Sequence, residues 1–197
     1  MGAQKVEGTD LSVQRRAVFL DRDGVLIQDV GYLSRPDQVR VLGGVPAALR
    51  RLREAGFLLL VVTNQSAIAR GWLTEDDLAT IHDMLNKELA GAGAGIDAFY
   101  YCPHLPDGEV AAYARTCECR KPAPGMILEA ARQWGVVLDR SYVIGDSARD
   151  VEAGRRAGCR TILVGSGPTC EADACARDLA EAADRVLRWE DPENGDA

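Results

Sequence analysis

Ala17-Val18-Phe19-Leu20-Asp21-Arg22-Asp23-Gly24-Val25 is the stretch on which the fold turns. Four apolar residues empty directly into two carboxylates one residue apart. Successive strand side chains point to opposite faces, so Asp21 and Asp23 can serve one ligand only where the strand opens into a turn. A hard divalent cation, most simply magnesium, best relieves their mutual repulsion. One carboxylate is then free to act as a nucleophile and the other as a proton carrier. Standing alone, the motif would be a solvated Asp-Gly turn; its company further along the chain argues otherwise.

Further apolar runs at Phe57–Val62, Ala98–Tyr101, Tyr142–Ile144 and Thr161–Val164 alternate with stretches at helical spacing. Val45–Glu54 places Val45, Leu49 and Leu52 on one face and stops at Gly56. Thr74–Leu89 opens on Thr74 with Asp77 three residues on, an acidic form of the capping box. Helices are also expected over Pro124–Trp134, Arg149–Ala157 and Cys175–Ala183. Such alternation predicts one α/β domain: a single Rossmann-like, doubly wound parallel sheet covered on both faces. Ligands gather at the carboxyl ends of the strands in such sheets. Three of these ends are polar: Asp21-Arg22-Asp23, Thr63-Asn64-Gln65-Ser66 and Gly145-Asp146-Ser147.

The 197 residues suffice for one domain with a sizeable core. The expected domain spans 15–189, with a polar leader over 1–14 and an acidic tail over 190–197. No apolar run approaches the length of a membrane span or a signal-peptide core, so a cytoplasmic chain without membrane association is expected. A net charge of −7 argues against a nucleic-acid binder with a broad basic face. It leaves room for an anionic small substrate, since a few local cations can dominate a cleft. Lysine occurs only at 5, 87 and 121, which singles out Lys121 beside Arg120. Taken alone, Thr63 suits a phosphate oxygen or a strand-end turn equally, and Asp150 suits either a metal site or helix first-turn charge.

Asp21-x-Asp23-Gly-Val, Thr63-Asn-Gln, Lys121-Pro and Gly145-Asp146-x-x-x-Asp150 resemble, in order, the four signature motifs of the haloacid dehalogenase-like phosphatases. Phe19–Val25, Val61–Gly71, Tyr100–His104 and Cys117–Pro122 resemble more narrowly the subgroup of heptose bisphosphate and histidinol-phosphate phosphatases. The resemblance covers residues 17 to about 165. It implies a capless fold of the haloacid dehalogenase type and a phosphomonoester hydrolase acting on a sugar bisphosphate. Asp21 would form an aspartyl-phosphate, and Asp23 would protonate the leaving oxygen and then activate water. Asp21, the Asp23 carbonyl and Asp146 would hold Mg²⁺, and Thr63 and Lys121 would hold the phosphoryl oxygens. Substrate contacts would come from Asp29, Val30, Gly31 and Tyr32, from Thr63, Asn64, Gln65 and Ser66, and from Arg120 and Lys121. Phosphoryl transfer is mostly positioning and charge neutralisation, which this set provides.

Cys102, His104, Cys117 and Cys119 bracket a twelve-residue stretch. Two close pairs of soft ligands fit tetrahedral zinc, although the spacing is tighter than in a usual finger. Disulfides are the rival, disfavoured in the cytosol. With the resemblance, a structural Zn²⁺ is expected, stiffening the loop and holding Arg120 and Lys121 over the cleft. Cys159, Cys170 and Cys175 are read as idle thiols, and His82 as ordinary surface or edge packing.

Departures from the subgroup pattern are Val25 for Thr, Ala67 for Gly and Ser147 for Lys. Ala67 could restrict its loop's backbone. Ser147 removes a cation near the phosphate, which Arg149 could replace from one turn away. A phosphatase for histidinol phosphate or a terminal nucleic-acid phosphate, and a non-catalytic zinc-stabilised binding protein, are the competing readings. The short apolar helices point to a monomer.

Overall fold

The computed structural model describes residues 14–165 and 171–191. The expected leader, all but its last residue, most of the expected tail and Cys170 lie outside them. Six parallel strands, β1 (Arg16–Leu20), β2 (Phe57–Asn64), β3 (Ala98–Cys102), β4 (Tyr142–Gly145), β5 (Arg160–Val164) and β6 (Ala174–Ala176), form one sheet in the order β3-β2-β1-β4-β5-β6. The order reverses direction at β1 and β4, the switch point at which doubly wound sheets open a crevice.

Helices α1 (Val45–Glu54), α2 (Glu75–Gly91), α3 (Gly125–Trp134), α4 (Ala148–Ala157) and α5 (Leu179–Glu190) cover the two faces. Alternation along β1 shows the division. Val18 and Leu20 enter the core under α1, α2 and α5, whereas Ala17 and Phe19 enter the one under α3 and α4. All four are fully buried, as strands covered on both faces must be. The capping box of α2 forms as the sequence predicts: the Asp77 amide donates to Thr74 Oγ1 at 3.1 Å, and the Thr74 amide to Asp77 Oδ2 at 3.1 Å.

The expected Cys175–Ala183 helix is a correction. Residues 174–176 are a sixth strand beside β5, and the helix begins only at Leu179, capped by Asp178, whose side chain accepts from the Glu181 amide. Ala174-Cys175-Ala176 is too short and too weakly apolar to read as a strand, and alanine favours the helical reading. Glu190 closes α5, with its carboxylate accepting from Tyr142 Oη at 2.6 Å and pairing with Arg16.

Among the described residues no helix is long and apolar enough to cross a membrane. Ala67 sits buried in ordinary backbone, since no non-glycine residue among those described has a positive φ. Its loop therefore carries alanine without left-handed strain.

Candidate active site

Register brings the polar strand ends together. Leu20 is level with Val61 of β2 and with Ile144 of β4, so Asp21, Thr63 and Asp146 emerge at one sheet edge. Asp21 is pinned there by its amide, which donates to the Ile144 carbonyl at 3.0 Å. The chain then turns sharply, with Gly24 at φ +78° and its amide on the Ile27 carbonyl at 2.8 Å. A Cβ on Gly24 would meet Asp146 Oδ2 at 2.0 Å, so glycine is required for both φ and close approach.

Between these ends lies a cleft of about 390 Å³. Its floor is Asp21, Asp23, Thr63, Lys121 and Asp146; its walls include Asp29, Gly31, Tyr32, Asn64, Ser66, Arg120, Ser147 and Arg149. Two expected contacts do not line it. Val30 points to solvent at 42% exposure. Gln65 is buried beneath the floor, its amide nitrogen donating to Thr63 Oγ1 at 2.9 Å and to Asp23 Oδ2 at 3.2 Å.

Lys121 is almost wholly buried, and its ammonium is shared by Asp21 Oδ1 at 2.9 Å, Asp150 Oδ1 at 2.6 Å and the Val62 carbonyl at 2.8 Å. Burial opposes the charge, but the two carboxylates outweigh it and raise the lysine above its usual range. Asn64 clasps the Lys121 backbone: its amide donates to the Lys121 carbonyl and its oxygen accepts from the Lys121 amide, both at 3.0 Å. Asp150 is thus neither solvated nor simple helix charge; its second oxygen caps α4 through the Ser147 amide at 3.1 Å and hydroxyl.

Burial pushes Asp21 up from 3.8 to about 6, against the lowering effect of Lys121 and with help from Asp150 and Asp23. Burial likewise raises Asp146, with Asp150 adding to it. Ligand oxygens of Asp21, Asp146 and Asp150 lie within 4.8 Å of one another. Three hard oxygen donors, whose negative charge Lys121 offsets only in part, fit a small divalent cation.

A second cluster flanks the cleft. One ligand atom from each of Cys102, His104, Cys117 and Cys119 lies within 4.8 Å of the others. The sulfurs stand 3.2 to 3.5 Å apart, well beyond the about 2.05 Å of a disulfide. Arg120 Nη1 donates to the His104 carbonyl at 3.1 Å, tying this cluster to the cleft wall. Cys159 is buried and Cys175 exposed, both away from the cluster.

Sequence reasoning missed His82. It is 5% exposed, not at the surface, and its Nε2 meets Arg22 Nη1 at 3.2 Å. The signal was available: His82 falls on the stripe of Leu78, Ile81 and Leu85 that α2 buries.

A family model described as HAD-hydrolase-like matches residues 118–188. D-glycero-beta-D-manno-heptose-1,7-bisphosphate 7-phosphatase of Yersinia pestis is 44% identical over 163 residues, 81% of this chain and 87% of that one. The chain belongs to the haloacid dehalogenase-like phosphatases. The enzyme of the same name from Escherichia coli K12 is 39% identical over 183 residues, covering 89% of this chain and 96% of its own. The crystal structure of D,D-heptose 1,7-bisphosphate phosphatase from B. bronchiseptica, complexed with magnesium and phosphate, superposes with a TM-score of 0.78 at 37% identity. It covers 87% of this chain and 98% of that one. As a haloacid dehalogenase-like phosphatase, the chain is a hydrolase of phosphate esters on a single parallel sheet.

Proposed function

We propose that this phosphatase removes the C7 phosphate of D-glycero-D-manno-heptose 1,7-bisphosphate through an aspartyl-phosphate on Asp21. The observation that carries the reading is the buried Asp21–Lys121 pair, 2.9 Å apart at the floor of a cleft that Asp23 and Thr63 also line. A carboxylate near 6 is mostly ionised at neutral pH and hence competent as a nucleophile. Lys121, fixed by Asp150 and Val62, offsets charge on the phosphoryl oxygens, and Thr63 borders the same position. Asp23 gives a proton to the departing sugar oxygen and takes one from the water that hydrolyses the intermediate.

Asp21, the Asp23 carbonyl and Asp146 would hold Mg²⁺, which when bound neutralises charge on the phosphoryl group and the nucleophile. Asp150 is within reach, but Lys121 and Ser147 already engage its two oxygens, one each. Asp29, Gly31, Tyr32, Asn64, Ser66 and Arg120 would shape the substrate site, with Gln65 supporting it from below the floor. Arg149 supports a bisphosphate: it is an exposed guanidinium on the rim, on the side where Ser147 has no charge.

Cys102, His104, Cys117 and Cys119 would hold a structural Zn²⁺. Tetrahedral Zn–S bonds of about 2.3 Å separate sulfurs by about 3.8 Å, so the cluster needs only a few tenths of an ångström of opening. His104 would bind through Nδ1, the nitrogen that already faces Cys102 and Cys119 at 3.6 and 3.3 Å. The same reading takes residues 15–189 to act as a cytoplasmic monomer on a phosphorylated small-molecule substrate.

The test is release of inorganic phosphate from heptose 1,7-bisphosphate, histidinol phosphate and a 3′-phosphorylated oligonucleotide, with and without magnesium. Magnesium-dependent turnover greatest on the heptose is expected. Preference for another ester would overturn the substrate, and no turnover of any would overturn the reading.

A further inference from the structure

We propose that Arg22 and His82 are positioning residues that, with Gln65, clamp the Asp23 carboxylate so that Oδ1 alone carries the transferred proton. The proposal rests on the reading of Asp23 as the proton carrier. Arg22 is 1% exposed, a buried guanidinium between two acidic residues. Its Nε and Nη2 reach Asp23 Oδ2 at 3.2 and 2.9 Å, and Gln65 Nε2 adds a third donor to the same oxygen at 3.2 Å. Among the described residues Oδ1 receives only Nη2, at 3.1 Å, from a group already shared with Oδ2 and with Gln65 Oε1. One carboxylate oxygen is therefore saturated. The other is the one left for the cleft, which Asp23 lines.

The guanidinium is itself fixed from behind. Nη1 lies 3.2 Å from His82 Nε2, and the imidazole stacks on Phe99 with centroids 4.4 Å apart. Burial and then the Arg22 charge push His82 down to about 3, so the ring is neutral and Nε2 accepts, leaving the proton on Nδ1. Gln65 also donates to Thr63 Oγ1 at 2.9 Å, so one amide aligns the proton carrier with the phosphate-facing hydroxyl. Arg22 is buried and Asp23 partly open to the cleft, and such an ion pair is weak evidence of stabilisation; what this one supplies is a fixed carboxylate plane.

In the first step an Asp21 oxygen bonds to phosphorus and the phosphorus–sugar oxygen bond breaks. The sugar oxygen keeps the electron pair and takes the proton from Asp23 Oδ1. In the second, water oxygen bonds to phosphorus, its proton passes to Oδ1, and the Asp21–phosphorus bond breaks to release phosphate and the free carboxylate.

The experiment compares kcat/KM for a sugar phosphate, whose alkoxide must be protonated, with that for p-nitrophenyl phosphate, whose phenolate leaves without a proton. This parameter includes only steps up to departure of the leaving group. In His82→Leu the sugar-to-aryl ratio should fall about tenfold or more, because small misplacements of catalytic groups are costly. His82→Gln, which offers an amide oxygen to Arg22, should restore most of it. Equal losses on both esters, or an unchanged ratio, would overturn the clamp. Should His82→Leu fail to fold, Arg22→Lys, which keeps the charge and loses the fork, decides by the same ratio. A wild-type protein that turns over neither ester would instead overturn the phosphatase reading itself.

Discussion

Replacing Asp21 by asparagine should abolish turnover and yet make the magnesium-free protein more stable at neutral pH. Asp21 is pushed from 3.8 to about 6, first by burial, with Lys121 pulling the other way and Asp150 and Asp23 adding to the rise. Folding therefore favours the protonated acid. The stability Asp21 contributes is complete below pH 3.8 and is lost as pH rises through about 6. A gap of this size corresponds to about 3 kcal/mol at pH 7 and above. The favourable Lys121 contact is already included, because it is one of the forces that set the value near 6. Asparagine keeps the shape and has no charge to bury. Urea unfolding of both proteins in magnesium-free buffer from pH 4 to pH 8 measures the difference. The two should be close at pH 4, and the variant should lead by about 3 kcal/mol at pH 8, or about 6–12 °C in melting temperature. Magnesium should narrow the gap, since it binds the ionised wild type. A variant less stable than wild type at pH 8, or a gap that does not change with pH, would refute the electrostatic account of the site.

Arg149→Ala should raise KM for a sugar bisphosphate by about three- to tenfold, screened by salt because the residue is exposed, and leave that for a monophosphate nearly unchanged; equal effects on both would remove the second-phosphate contact. Metal analysis should find one zinc per chain, lost in Cys119→Ser together with a lower melting temperature; a zinc-free protein with unaltered stability and activity would contradict the structural role. Gly24→Ala must move the Asp146 carboxylate, which a Cβ would meet at 2.0 Å, so titration calorimetry should find magnesium affinity reduced by about tenfold or more; unchanged affinity would take Asp146 out of the metal site.

The sheet was legible because both faces of β1, β2, β4 and β5 are covered, which leaves unbroken apolar runs in the sequence. β6 was not, because an edge strand of three small residues carries no such signal. The cleft was legible where chemistry and motif coincide: Asp21, Asp23, Thr63, Lys121 and Asp146 reach one sheet edge because five strands share one direction and register. The layer beneath it was harder to read. Gln65 comes after Asn64 in a polar run and reads as another wall residue, yet the turn after β2 sends it inward. Arg22 lies between two carboxylates that draw the motif's reading to themselves. Its burial depends on His82, sixty residues away on α2, a contact that local pattern cannot reveal.

The central claim is that a phosphoryl group resides covalently on Asp21 during each turnover. Rapid acid quench of the magnesium-loaded enzyme with substrate, then peptide mass spectrometry, tests it directly. The account predicts one phosphoryl group, labile to base, on the peptide that carries Asp21, and none in Asp21→Asn. Phosphate found on another residue, or an Asp21→Asn protein that still turns over at the wild-type rate, would contradict it.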